Sequence, residues 1–213
     1  MCVTSYNAVV SIARKLHKAQ NLTPELNDEH PWMVQTALGG LWRLTRKELA
    51  VRYNNSCFEV RHRAVPDVTN IIGMSSVVPL EGAAYVLIAE GAKLCWQRFA
   101  TAKELMHVYT GSYLHAGLGI ATILGEAIKS RKNLPTSPGD PLDAETFCQL
   151  IALELMIPWK YREQIVDAKR KNHQLDYDIA VKLMIPQKMV AYFFDNDYES
   201  LSFAANQEID DLG

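Results

Sequence analysis

Ala84-Tyr85-Val86-Leu87-Ile88-Ala89 leads, after a short connection, into Arg98-Phe99-Ala100-Thr101-Ala102-Lys103-Glu104-Leu105-Met106-His107. The first stretch is short, apolar and closed by Glu90-Gly91, as a buried strand is. The second has helical spacing and is expected to continue to about Val108. Helix positions three and four apart share a face, so residues 103, 104 and 107 lie close together. Two histidines at the outer positions of such a pattern hold a zinc ion, and a glutamate beside the first serves as general base. Here Glu104 stands at the base position, His107 at the second ligand position and Lys103 at the first.

Outward from this pair of elements, the chain reads as helix on both sides and strand in the middle. Val9, Ile12, Ala13 and Leu16 repeat at helical spacing over about Ser5–Gln20. A second helix is expected after His30, with Pro31 at its first position, running through Leu41 and Leu44 toward Tyr53. Asn54-Asn55-Ser56 signals a turn. Cys57–Arg61 alternates weakly, and Val68–Val78 is β-branched around Gly73, so with Ala84–Ala89 a sheet of about three strands is expected. Beyond His107, an apolar helix is expected over Leu114–Lys129, a long loop over Ser130–Asp140, and a strongly apolar helix from Asp143 to Met156. Tyr161–Asn172 reads as a charged helix, and Tyr177–Phe194 as two short helices broken at Pro186. The acidic tail after Asp195 is expected to fray.

Composition narrows the class. The 213 residues carry 22 basic and 24 acidic side chains, a net charge of −2, so no global attraction to nucleic acid or anionic membrane arises. The Ile179–Phe194 pair has few basic residues, and DNA binding is not expected of it. The most apolar runs, Gly82–Ala89 and Leu114–Leu124, are too short to cross a bilayer. Cys2, Cys57, Cys95 and Cys148 form no CxxC pair, and all but Cys2 sit among apolar neighbours, where buried free thiols are expected. No secretory signal opens the chain, and a reduced, cytoplasmic protein is the expectation.

A later segment strengthens the meaning of Lys103–His107. Glu145-xx-Cys148-xx-Ile151-Ala152-xx-Leu155-Met156-Ile157-Pro158 follows the strand-to-helix stretch in order, and Ile179–Val190 follows that. Together these segments resemble the ImmA/IrrE family of zinc metallopeptidases. There a strand leads into RFTxAHELxH, a later helix reads ExxAxxFAxxLLMP, and a two-helix element ends in VSxxxVxxRL. The resemblance runs from about Ala84 to Pro158 and continues more loosely to Val190. It implies an α+β, zincin-like core with a small, mostly antiparallel sheet packed by helices. It divides the chain into an N-terminal helical segment (1–55), a metallopeptidase-like core (56–160) and a C-terminal helical element with an acidic tail (161–213). It makes Glu104 and Lys103 the candidate catalytic positions and His107 and Glu145 the candidate metal ligands. It also implies a protein partner, a helix-turn-helix transcriptional regulator, and a setting in mobile elements.

Lys103, Cys148, Ile151 and Pro186 depart from the family pattern, and only Lys103 touches the chemistry. An ammonium has no lone pair to give a metal. Two ligands are too few for an ordinary zinc site. Lys103 is therefore expected to replace the metal, pairing with Glu145 or Glu104, in a non-hydrolytic relative that binds a regulator. No cofactor is then needed. The alternative is an active metallo-endopeptidase with an altered ligand set, zinc being held with help from His115 or His62. His115 lies about 80° round an ideal helix from His107. Two plainer readings stand beside these: Lys103, Glu104 and His107 as a solvated helix face, and Glu145 as a first-turn glutamate favoured by the helix dipole. Phe99, Leu105, Ile151, Leu155 and Met156 belong to the core in every reading.

Overall fold

Helix α1 (Tyr6–Ala19) starts at Ser5, whose hydroxyl accepts from the Ala8 amide, and buries Tyr6, Val9, Val10, Ala13 and Leu16. That spacing is one apolar stripe on an otherwise polar helix. A computed structural model of the chain describes residues 5–20, 38–66, 72–111, 143–157, 162, 165–167, 171, 175–194 and 196–211. Helix α2 (Leu38–Arg52) turns Leu41, Thr45 and Leu49 inward at a spacing of four. Its expected start at Pro31, the Leu114–Lys129 helix and the Ser130–Asp140 loop lie outside the described residues.

Three strands follow: β1 (Glu59–Val65), β2 (Gly73–Val78) and β3 (Ala83–Ala89). Their order is β1-β3-β2, with the most apolar strand in the centre. β2 and β3 form an antiparallel hairpin through a 3-10 turn, Pro79–Glu81. The hairpin closes at Gly82, whose φ of 62° suits glycine. β1 runs parallel to β3, Glu59 opposite Ala83 and Val65 opposite Ala89. The sheet is thus mixed rather than mostly antiparallel. Alternation says which strand faces are dry, and it says nothing of strand direction.

Helix α3 (Leu94–Thr110) packs across the buried face of the sheet, the face of Ala84, Val86 and Ile88. It begins four residues before Arg98, at Leu94, and ends where Gly111 turns left-handed and donates to the His107 carbonyl. From Phe99 to Val108 only Lys103 is not fully buried. A helix buried nearly all round belongs to a core. Helix α4 (Ala144–Met156) packs on α3 and α1. Asp143 caps it, accepting from the Thr146 amide at 2.8 Å. Phe99, Leu105, Ile151, Leu155 and Met156 are all core, as expected.

Arg162, 165–167 and Lys171 are helical. Helices α5 (Asp176–Leu183) and α6 (Gln187–Phe193) are separated at Pro186. The acidic tail does not fray. It forms α7 (Asn196–Asp211), which lies on α1 with Tyr198, Leu201, Ser202 and Ala205 buried. Those positions repeat at helical spacing, and the charges occupy the other face. Asp210 pairs with Arg14 at 2.6 Å, so acidity was a poor guide to order here. One apolar core draws on residues from Tyr6 to Ala205. The cysteines differ from expectation as well: Cys148 is buried, Cys95 is partly covered and Cys57 is exposed in the turn before β1. Among the described residues no helix is long and apolar enough to cross a membrane.

Candidate functional site

Lys103, Glu104 and His107 on α3 meet Glu145 on α4 and Ser75 on β2. The sheet brings Ser75 in because β2 crosses α3 closely. A Cβ added at Gly73 would lie 3.1 Å from the Ala100 Cβ and 3.2 Å from the Glu104 Cγ, so the strand approaches closely enough that a side chain there would press its neighbours back by a few tenths of an ångström. Two residues on, the Ser75 hydroxyl donates to Glu104 Oε2 at 2.8 Å. The capped first turn of α4 brings Glu145, its carboxylate at the positive end of that helix.

The Lys103 ammonium donates to Glu145 Oε1 and lies 2.9 Å from Glu104 Oε1. His107 Nε2 lies 2.9 Å from Glu145 Oε2. The ring also hydrogen-bonds the Cys148 sulfur, one helical turn beyond Glu145. Each carboxylate therefore has both oxygens engaged: Glu104 by Lys103 and Ser75, Glu145 by Lys103 and His107.

Burial is deep. Glu104 is 3% exposed and His107 9%. Burial alone disfavours every charge here, yet the partners outweigh it. Lys103 is held above its ordinary value by Glu104 and Glu145 despite its burial. Burial also opposes charge on His107, but Cys148, Glu145 and Glu104 raise the ring to about 10. Burial would push Glu145 up, whereas His107 and Lys103 bring it down to about 2. Two basic groups, Lys103 and His107, thus meet two acidic ones, Glu104 and Glu145, in one cluster.

This donor set does not fit a zinc ion as it stands. Lys103 offers an ammonium with no lone pair, which leaves His107 and Glu145 as the two expected ligands present. Among the described residues no group of three or more His, Cys, Asp or Glu side chains is arranged to hold a metal. Of the two histidines considered as replacement ligands, His115 lies outside the described residues. His62 sits on β1, across the sheet from β2, with its ring against Trp42 at 6.2 Å. It does not join the cluster. Glu104, at the position of the general base, has Lys103 on one oxygen and Ser75 on the other.

All four candidate residues named from the sequence come together: Lys103, Glu104, His107 and Glu145. A solvated helix face is ruled out by their burial. Ser75 and Cys148 were not foreseen as members. Ser75 carried no signal, because its role depends on where β2 crosses α3. Cys148 did carry one, since it lies three residues after Glu145 and shares its helix face. Compared with protein-family models, with curated proteins and with solved structures, the chain finds no match.

Proposed function

We propose that the protein is an ImmA/IrrE-like metallopeptidase scaffold without hydrolytic activity, acting by binding a regulatory protein partner. The observation that carries this reading is the position of the Lys103 ammonium, bonded to Glu104 and Glu145 together. In an intact site of this kind a divalent ion would neutralise the acidic groups and activate water. Lys103 supplies the neutralisation and cannot supply the water. The glutamate that would act as base is tied to Lys103 and Ser75. The scaffold keeps its shape through ion pairing and has no route to peptide hydrolysis. By analogy with the family, the partner is a transcriptional regulator of the helix-turn-helix class.

Metal content tests the reading. Protein purified without chelator is expected to contain no stoichiometric zinc, and Lys103→His is expected to acquire it. Zinc at one equivalent in the parent protein, or peptide cleavage lost on Glu104→Gln, would instead establish an active endopeptidase with an altered ligand set.

A further inference from the structure

The solvent side of α2 carries a second feature, remote in kind from the cluster on α3. Leu41, Thr45 and Leu49 point inward, which leaves Arg43, Arg46 and Lys47 exposed on the same helix. With Trp42, Ser56 and Val60 among their neighbours, these three cations line an open groove of about 730 Å³ between α2, the turn before β1 and β1 itself. A volume of this order suits one small ligand. Among the described residues, none that lines the groove is acidic. Among the described residues the ion pair α2 makes is farther along, between Arg52 and Glu48. Since the whole chain is net negative at −2, the positive groove is a local concentration rather than a general property.

The groove's dimensions and chemistry narrow the ligand. Arg43 to Lys47 is four steps along the helix, about 6 Å of rise. A patch that short can engage one phosphate group or two adjacent ones rather than track an extended polyanion. Guanidinium groups take phosphate oxygens two at a time. Trp42 supplies an aromatic wall, partly buried and steadied by the perpendicular His62 ring at 6.2 Å. Indole beside cations suits a ligand that joins a flat ring to phosphate. An acidic peptide would use the cations and leave the indole idle. We propose that this groove binds a nucleotide unit, with its phosphates on Arg43, Arg46 and Lys47 and its base against Trp42.

Calorimetric titration of the full chain with ATP, inorganic tripolyphosphate, a short single-stranded oligonucleotide and a glutamate-rich peptide tests this. ATP is expected to bind saturably below about 1 mM and to weaken by about tenfold or more in Arg43→Ala/Arg46→Ala, whose exposed positions leave folding intact. Trp42→Leu is expected to weaken ATP by about fivefold or more and to leave tripolyphosphate unchanged. An oligonucleotide that competes with ATP and shares its dependence on Trp42 extends the same site to a strand. Three results overturn the proposal: no saturable ATP binding, equal affinity for ATP and tripolyphosphate with no Trp42 effect, or tighter binding of the acidic peptide. Lys103→His leaves every one of these titrations unchanged, so this outcome and that of the metal analysis are independent.

Discussion

Glu145 on α4 takes the Lys103 ammonium on one carboxylate oxygen and the His107 ring on the other, joining two core helices through residues 42 positions apart in sequence for the first pair. The bond does what a shared metal would do for packing. It fixes the first turn of α4 against the middle of α3.

Lys103→Met is therefore expected to destabilise the protein by about 3–5 kcal/mol, the usual cost of stranding a buried partner. Glu104 loses its cation, and Glu145 keeps only the His107 ring. Adding Glu145→Gln is expected to recover part of that loss, because one stranded charge disappears. Urea unfolding of the two single variants and the double variant measures the coupling. Additive costs would mean that the amine and the carboxylate do not depend on each other.

The same cluster sets the pH dependence of stability. Glu145 is lowered from 4.5 to about 2, so its contribution is complete above 4.5 and is lost as pH falls toward 2. His107 is raised from 6.5 to about 10, so its contribution is complete below 6.5 and is lost as pH rises toward 10. Stability is expected to be greatest between about 4.5 and 6.5 and to decline on either side. His107→Gln should flatten the alkaline limb and Glu145→Gln the acid limb. Unfolding midpoints measured from about pH 2 to pH 10 decide it, and an alkaline limb unchanged in His107→Gln would remove the ring from the account.

How far the sequence revealed these arrangements depended on the kind of information involved. Periodicity marked α1, β3, α4 and the break at Pro186, because one buried stripe or one apolar run is a local property. It also put Lys103, Glu104 and His107 on one helix face. Strand direction was hidden, since residues in β1 alternate identically whether β3 runs with them or against them. Order in the tail is hard to see in the sequence because Asp and Glu on the outer face of α7 mask a second pattern beneath them, Tyr198-Leu201-Ser202-Ala205. Lone Glu154, set in Leu150–Met156, was a signal of a buried partner whose position only tertiary structure supplies.

Gly73 gives a steric test of how β2 is held to the site. Its missing Cβ admits Ala100 and Glu104 at 3.1 and 3.2 Å from the position that Cβ would occupy. Gly73→Val is expected to push β2 from α3 and to cost about 1–3 kcal/mol through overpacking. Ser75 would then move off Glu104. The ultraviolet circular dichroism spectrum should keep its helical content, while the unfolding midpoint falls. An unchanged midpoint would show that strand and helix have slack between them.

Glu154 ties the two ends of the chain to the core. Its Oε1 accepts from Tyr6 at 2.5 Å, Tyr198 at 2.6 Å and Ser202 at 3.1 Å, and the Tyr6 and Tyr198 hydroxyl oxygens lie 2.9 Å apart. Burial holds the carboxyl above its ordinary value, against the three hydroxyl donors that stabilise its charge. Arg162 lies nearby, its guanidinium 4.7 Å from the centre of the Phe193 ring. Tyr6→Phe and Tyr198→Phe each remove one donor from a buried acceptor and are expected to cost about 1–3 kcal/mol. The double variant should cost something other than the sum, by about 0.5–3 kcal/mol, because both hydroxyls share one oxygen and touch each other. Hydrogen exchange gives an independent readout. Amides of α7 should lose protection in Tyr6→Phe although that residue lies on α1, and unchanged protection there would mean that α7 is held by its apolar face alone.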